Sequence, residues 1–369
     1  MNLKSLLSVA VTAALVLSML AGCGGSNGTS SAGSVVPQST ASVGNAAGTQ
    51  QADNTVYTIK FATNPAELTP ETSPDTCWAY TLRDYIEAES GGRLKLDLYP
   101  SAQLGGHSEI AQGVAGGSIE MGIVNISVLT ALDADLMAFT IPGLYNNTQE
   151  CTDVLNSDMA KEMFAKLESN MHFQVVYPYC NGYRNFTNSK KEIHTVGDAK
   201  GLSFRVMEDP VSIAMVEAIG AKAVPMSASE MYVAMQNGVV DGHENTITNV
   251  IQDLTYEVQN SMVLDKHTAS ISITLMSQSW FDSLPTDLQQ IILDGQTAAF
   301  EATFALTERL NAEGVEVLRE KGMAVYEPTV EELEEWQSTI FSATSTYVRS
   351  QVGDELVDKV IAEIEEYRK

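Results

Sequence analysis

Basic residues are scarce in this sequence. Its 369 residues include 21 Lys and Arg against 47 Asp and Glu, a formal net charge of −26. Nucleic-acid binding requires clustered Lys and Arg to neutralise phosphates, and docking on anionic lipid requires a basic patch, so neither is expected. An anionic small ligand stays open, because the local field in a cleft can oppose the global one. Cysteine is equally sparse. The four cysteines, Cys23, Cys77, Cys151 and Cys180, show no CxxC spacing. The five histidines, His107, His172, His194, His243 and His267, are dispersed and read as surface or packing residues. No metal site and no cofactor are therefore expected. Beyond the N-terminus no stretch approaches the ~18 uninterrupted apolar residues of a membrane span, so the chain is not a channel by itself. Catalytic signatures are missing too. There is no GxSxG, no GxxxxGK[ST] and no HExxH, and the glycines at 105, 106, 113, 116 and 117 form no dinucleotide fingerprint after a strand. An enzyme is not expected.

What is present begins at the N-terminus. Lys4 precedes an apolar stretch from Leu6 to Leu20, the pattern of a secretory signal. Leu20-Ala21-Gly22-Cys23 has the form of a bacterial lipoprotein signal, so residues 1–22 read as a signal peptide and Cys23 as the lipidated first residue of the mature chain. From Gly24 to about Asp53 the chain is Gly, Ser, Thr, Ala and Gln, with almost no charge or large apolar residue. Such a segment cannot bury enough surface to repay the entropy of ordering, which makes residues 23–54 a disordered tether. The expected location is the outer face of the cell membrane, held by lipid. Of the remaining cysteines, one disulfide with a free thiol and three buried thiols are equally compatible with the spacing.

The rest of the chain alternates strand and helix patterns. Tyr57, Ile59 and Phe61 share one face of a strand over Val56–Ala62. Trp78, Leu82, Tyr85 and Ile86 mark a helix over Asp75–Ala88, stopped by Gly91-Gly92, and Leu94, Leu96 and Leu98 mark a second strand. A helix at 107–116 and a strand at Met121–Ile126 complete a βαβαβ rhythm, which implies a mainly parallel sheet flanked by helices. A second unit starts near Tyr183, with a strand at Leu202–Val206, a helix at Pro210–Ile219, and a capping box at Ser227-Ala-Ser-Glu230. From Leu284-Pro285-Thr286 a helical pattern runs to Gly322, with Gly314 as a possible kink. At 1.5 Å per residue it reaches roughly 50 Å, enough to brace two lobes. The fold class expected is α/β, a two-lobed periplasmic-binding-protein-like fold of type II character with a hinged cleft. Residues 55–180 with about 270–310 form the first lobe, and 181–269 with about 311–369 the second. Ligands in open α/β sheets sit at the carboxyl ends of strands.

Arg205 lies at the end of a strand expected to be buried. A guanidinium there is costly unless an anion satisfies it. The residues alone leave two partners open, an internal acid such as Asp241 or Glu244, or a ligand carboxylate, which the planar fork fits in bidentate fashion. Five motifs in order bear on the choice: Gly182-Tyr-Arg184-Asn-Phe186-Thr187-Asn188, Lys200-Gly201-Leu-Ser-Phe-Arg205-Val206, Met226 to Gln236, Gly238-Val-Val-Asp241-Gly242-His-Glu244-Asn245, and Tyr256-Glu257-Val258-Gln259. Tyr99-Pro100-Ser101-Ala102-Gln103-Leu104-Gly105 adds a sixth in the first lobe. Together, over roughly residues 56 to 330, they resemble the C4-dicarboxylate-binding type of solute receptor from tripartite ATP-independent periplasmic (TRAP) transporters. The resemblance implies that Arg205 contacts a ligand carboxylate, that Asn245 contacts the same group, and that Arg184 adds positive potential or a second contact. Asn64 and Asn125 stand at carboxyl ends of first-lobe strands and are further ligand candidates, each with an Asx turn as the alternative. Trp78 and Tyr80 either line the cleft or belong to the core. Two departures stand out. His243 replaces the glutamine of the common Asp-Gly-Gln-Glu-Asn motif, and Ala228 replaces a common aromatic. The implied partners are a small organic acid and the membrane subunits of the transporter, with the receptor itself a monomer. An ATP-driven uptake receptor and a sensory lipoprotein are the alternatives.

Overall fold

The computed structural model describes residues 55–66 and 68–369. The expected signal peptide, the expected tether and Cys23 lie outside them. The described residues form ten strands: β1 (Tyr57–Ala62), β2 (Leu94–Tyr99), β3 (Met121–Asn125), β4 (Phe173–Asn188), β5 (Ser203–Val206), β6 (Lys222–Pro225), β7 (Gly242–Thr246), β8 (Ser261–Val263), β9 (Thr268–Ser277) and β10 (Ala324–Tyr326). They form one sheet in the order β2-β1-β3-β9-β4-β7-β5-β6, with β8 joining β4 to β10 off this path. Parallel pairing holds within each half, in β2-β1-β3 and in β7-β5-β6. The middle differs from expectation: β9 runs antiparallel to β3, and β4 runs antiparallel to both β9 and β7. The reason is length. β4 has 16 residues and β9 has 10, so each continues from one half of the sheet into the other.

β4 does this with a bent ladder. Its register against β9 shifts between Val176 and Tyr179 and again between Cys180 and Tyr183. Pro178 sits in the first break, where a missing backbone N–H costs no ladder bond. Bulges of this kind bend a strand and increase its twist, and they divide the sheet at the level of the cavity described below.

Helix ends follow local chemistry. Ser73 Oγ accepts from Thr76 N at 3.3 Å and Pro74 occupies the first turn of the helix Pro74–Glu89. Thr329 and Glu332 cap each other reciprocally at the start of Val330–Val352. At Ser227 the expected capping box is only half formed, since Ser227 Oγ accepts from Ser229 N at 3.4 Å and no reciprocal bond from Glu230 is present among the described residues.

The helix Thr286–Glu320 is continuous over 35 residues and does not break at Gly314. A Cβ at Gly314 would stand 2.4 Å from Ile247 Cγ2, so the glycine is a notch for the helix Ile247–Gln252. Nearer its start, Gly295 lies against Leu82 and Ile86, where a Cβ would approach each to 3.0 Å. Two notches thus seat one helix on both halves. The C-terminus crosses back as well. Trp336 and Ile340 pack with Phe186 and Phe204 of the second half, whereas Val348, Val357, Val360 and Ile364 pack with Val154 and Leu155 of the first. The last helix, Asp354–Tyr367, therefore packs on the first half, not with the second as the sequence rhythm suggested. Among the described residues no helix is long and apolar enough to cross a membrane.

Replacing Gly314 by Val is expected to lower the melting temperature by several degrees, corresponding to about 1–3 kcal/mol for an overpacked contact. Scanning calorimetry checks it. An unchanged melting temperature would show that the long helix does not depend on this contact.

Candidate functional site

The carboxyl ends of β1, β3, β5 and β7 converge on a cavity of about 310 Å³ between the two halves. All five ligand candidates from the sequence line it: Asn64, Asn125, Arg184, Arg205 and Asn245. A second, more open space of about 520 Å³ adjoins it and shares Arg205, His107 and Ala228.

The two arginines are in different states. Arg184, 4% exposed, is fully engaged. Its Nε and Nη2 hold the Glu244 carboxylate, with 2.8 Å from Nη2 to Oε1, Nη2 donates to the Glu244 carbonyl at 2.6 Å, and Nη1 donates to Asn245 Oδ1 at 3.0 Å. Behind Glu244 lies His267, 3.3 Å away through Nε2, and the His267 Nδ1 meets Asp265 Oδ2 at 2.7 Å. Burial alone would raise the Glu244 carboxyl, but Arg184 and His267 outweigh it and pull it down to about 2. Burial would depress His267, but Asp265 and Glu244 hold it up at about 9. Asp265, His267, Glu244 and Arg184 thus form a buried, charge-balanced chain.

Arg205 has no such partner. It is 3% exposed, yet among the described residues no carboxylate lies within 4.0 Å of it. Nε and Nη2 donate to the Met226 carbonyl at 3.0 and 2.7 Å, and Nη1 meets only the Met231 sulfur at 3.7 Å. Burial lowers its pKa to about 10, partly countered by the charge of Glu244, so it remains a cation at neutral pH. Of the two internal partners open at the outset, Glu244 belongs to Arg184, and Asp241 accepts from Ser203 N and Oγ at 2.9 and 2.8 Å.

Asn245 offers the complementary group. Its Oδ1 accepts from Arg184, from Thr246 N at 3.0 Å and from Asn249 Nδ2 at 3.0 Å. With the oxygen committed, the amide Nδ2 is the end left to donate. Asn125 combines its two readings: Oδ1 caps the short helix after β3 by accepting from Ser127 N at 3.0 Å, and Nδ2 donates to Ser270 Oγ at 3.2 Å. Asn64 presents a buried Oδ1 with no donor. Trp78 is core, fully buried, with Nε1 bonded to Gln296 Oε1 at 2.9 Å and its ring stacked on Tyr179. Cys77, Cys151 and Cys180 are free and buried.

Some cavity residues had no sequence signal. Asp75 reads as an ordinary first-turn acid and Asp253 as the end of a short helix, yet both face the cavity. His107, taken for a surface or packing residue, stands at both openings with Nδ1 unpartnered. Burial, then the charge of Arg205, lowers it to about 4, so the ring is neutral.

Residues 66–350 match the model of the bacterial extracellular solute-binding protein family 7. The chain belongs to this family. A solute-binding protein of Verminephrobacter eiseniae is 31% identical over 245 residues, covering 66% of this chain and 73% of the relative. The 2,3-diketo-L-gulonate-binding periplasmic protein of Escherichia coli is 26% identical, covering 70% of this chain and 78% of its own. Among solved structures, the sugar acid binding protein of Advenella mimigardefordensis in complex with galactonate is similar at a TM-score of 0.80 and 25% identity, covering 85% of this chain and 99% of that one. Family 7 proteins are receptors and not enzymes, and they include the TRAP receptors that the motifs resemble. In this family 7 receptor Ala228 lines both spaces, widening them where a common aromatic would stand. His243, in the glutamine position, is fully buried with both ring nitrogens unpartnered, and burial, then Arg205, lowers it to about 3.

The raised pKa of His267 carries a sign. Its stabilisation is complete below the ordinary 6.5 and is lost as the pH rises through about 9, a contribution on the order of 3 kcal/mol. NMR titration is expected to place its midpoint above pH 8 and those of His107 and His243 below 5, with urea stability declining from pH 7 to 9.5. A His267 midpoint near 6.5 would contradict the charge-balanced chain.

Proposed function

We propose that this receptor binds a small organic acid in the cavity between its halves, with the ligand carboxylate on Arg205 and the Asn245 amide. The observation that carries this is a buried guanidinium with an open fork and no internal carboxylate. Such a group is stable only when an anion supplies what water no longer can. Arg184 acts on this reading mainly by placing Asn245 and keeping Glu244 away from Arg205. Asn64 and Asn125 contact the remainder of the ligand. The acids bound by the two ligand-named relatives, a diketogulonate and galactonate, support the class.

The two halves act as lobes hinged where β4 and β9 pass between them, with the first lobe near 55–180 and about 270–310, the second near 181–269, and 311–345 beside the second. Closure over the acid removes water and strengthens the ion pair. The closed form is then presented to the small and large membrane subunits of a TRAP transporter. The receptor stays near them as a monomer, through a lipid on Cys23 and the tether at 23–54, after removal of residues 1–22.

A thermal-shift screen of small mono- and dicarboxylates, with neutral sugars as controls, tests the class. An acid at 100 times its Kd adds about 2.7 kcal/mol of stability. Calorimetric titration of Arg205→Ala with any acid that shifts the native protein is expected to show at least a ~100-fold loss, the cost of truncating one side of a buried charge pair. Sugars that stabilise while acids do not, or an undiminished Arg205→Ala affinity, would overturn the assignment. For the anchor, Cys23→Ser is expected to move the protein from the membrane fraction to the soluble one, and retention at the membrane would refute lipidation there.

A further inference from the structure

The cavity carries two kinds of group. It presents donors, the open Nη1 of Arg205 and the Asn245 amide. The same cavity is also lined by acceptors. Asn64 Oδ1 and Asn181 Oδ1 are buried without a donor, the latter while Nδ2 of the same amide is held on Ser272 Oγ at 3.0 Å. The carboxylates of Asp75 and Asp253 also line it, and among the described residues neither receives a hydrogen bond or an ion pair. These acids come from opposite halves. Asp75 is in the first turn of Pro74–Glu89, and Asp253 follows Ile247–Gln252. Gln252 Nε2 donates to the Thr72 carbonyl at 3.3 Å, which ties the segments carrying them together across the cleft.

An orphaned buried acceptor costs about 1–3 kcal/mol, and more when charged. Asn64 Oδ1 and Asn181 Oδ1 are two such acceptors, and in the same cavity the half-buried carboxylates of Asp75 and Asp253 also receive no donor from the described residues, so donors on a ligand would find all four. A second ligand carboxylate would bring a third negative charge against Asp75 and Asp253. A hydroxyl or ammonium group would find acceptors from both halves, so that binding would draw the halves together. We propose that these acceptors select a hydrogen-bond-donating tail, so that the ligand is a monocarboxylate bearing hydroxyl or ammonium groups and not a dicarboxylate. The inference rests on the carboxylate reading of Arg205, and it deepens that reading by assigning specificity to Asp75, Asp253, Asn64 and Asn181. Burial, then the charge of Asp253, lifts Asp75 to about 7, and burial lifts Asp253 to about 6 against the pull of Arg205 and Arg184. Both shifts agree with acids that receive no donor from the protein.

Calorimetric titration of the full chain at pH 7.5 with two matched sets tests it. The first is succinate, 4-hydroxybutyrate and 4-aminobutyrate. The second is adipate, gluconate and 6-aminohexanoate. A donor-tailed acid is expected to bind at least tenfold tighter than the dicarboxylate of its own set, and the hydroxyl and amino members show which donor is preferred. In Asp75→Asn and in Asp253→Asn, with folding checked by circular dichroism, that ratio is expected to fall at least tenfold, because an amide can donate to a second carboxylate. Succinate or adipate binding as tightly as both matched donors, or a ratio unchanged in both variants, overturns this inference and leaves the Arg205 reading intact. Binding of none of the six acids overturns both.

Discussion

The ion pair between Arg184 and Glu244 governs the chemistry around it, because it commits a buried acid whose charge also reaches Arg205. Two guanidiniums and the Glu244 carboxylate share this region, and the geometry awards that carboxylate's hydrogen bonds from arginine entirely to Arg184. His267 and Asp265 extend that pair into a chain whose charges balance without outside help. Arg205 is left buried on backbone oxygen and a thioether. A site of this kind keeps its positive charge in reserve, and the scaffold, not the ligand, bears the cost of the neighbouring charges.

That arrangement depends on the strands that carry it. Arg184 is in β4 and Glu244 in β7, paired antiparallel, while Arg205 is in β5 on the other side of β7. The face alternation of a strand sends Glu244 to one side and His243 and Asn245 to the other. Glu244 therefore turns away from Arg205 even though the two strands are neighbours. β4 and β9 also carry the backbone between the halves, so the same strand that positions Arg184 lies at the passage between them. The long helix, notched at Gly295 and Gly314, keeps both halves in register on its flank.

Electrostatics in this protein are local. A chain with a formal charge of −26 builds a cavity that holds a buried cation together with unpaired acceptors. The excess acid is distributed over exposed helix faces, where water screens it, and has little say in a desolvated space. Composition speaks against polyanionic partners while leaving a small acid admissible.

Much of this was legible beforehand. Period-two and helical patterns placed the β1, β2 and β5 strands and the helices at 74–89, 210–218 and 286–320 within a few residues, because apolar periodicity reflects burial on one face. Ordered motifs picked out Arg184, Arg205 and Asn245, strand ends picked out Asn64 and Asn125, and all five line one cavity. The antiparallel centre was not legible, since a 16-residue strand with Pro178 in it looks broken when read locally. Asp75, Asp253, Asn181 and His107 carried no mark either, because an acid at a helix end is ordinary until another element faces it. The sequence by itself determined residue chemistry and local periodicity: an acidic α/β chain with an arginine at the end of a buried strand. Only the tertiary structure decided which acid that arginine would lack, since partnership between charges depends on distances across strands and halves that no spacing along the chain encodes.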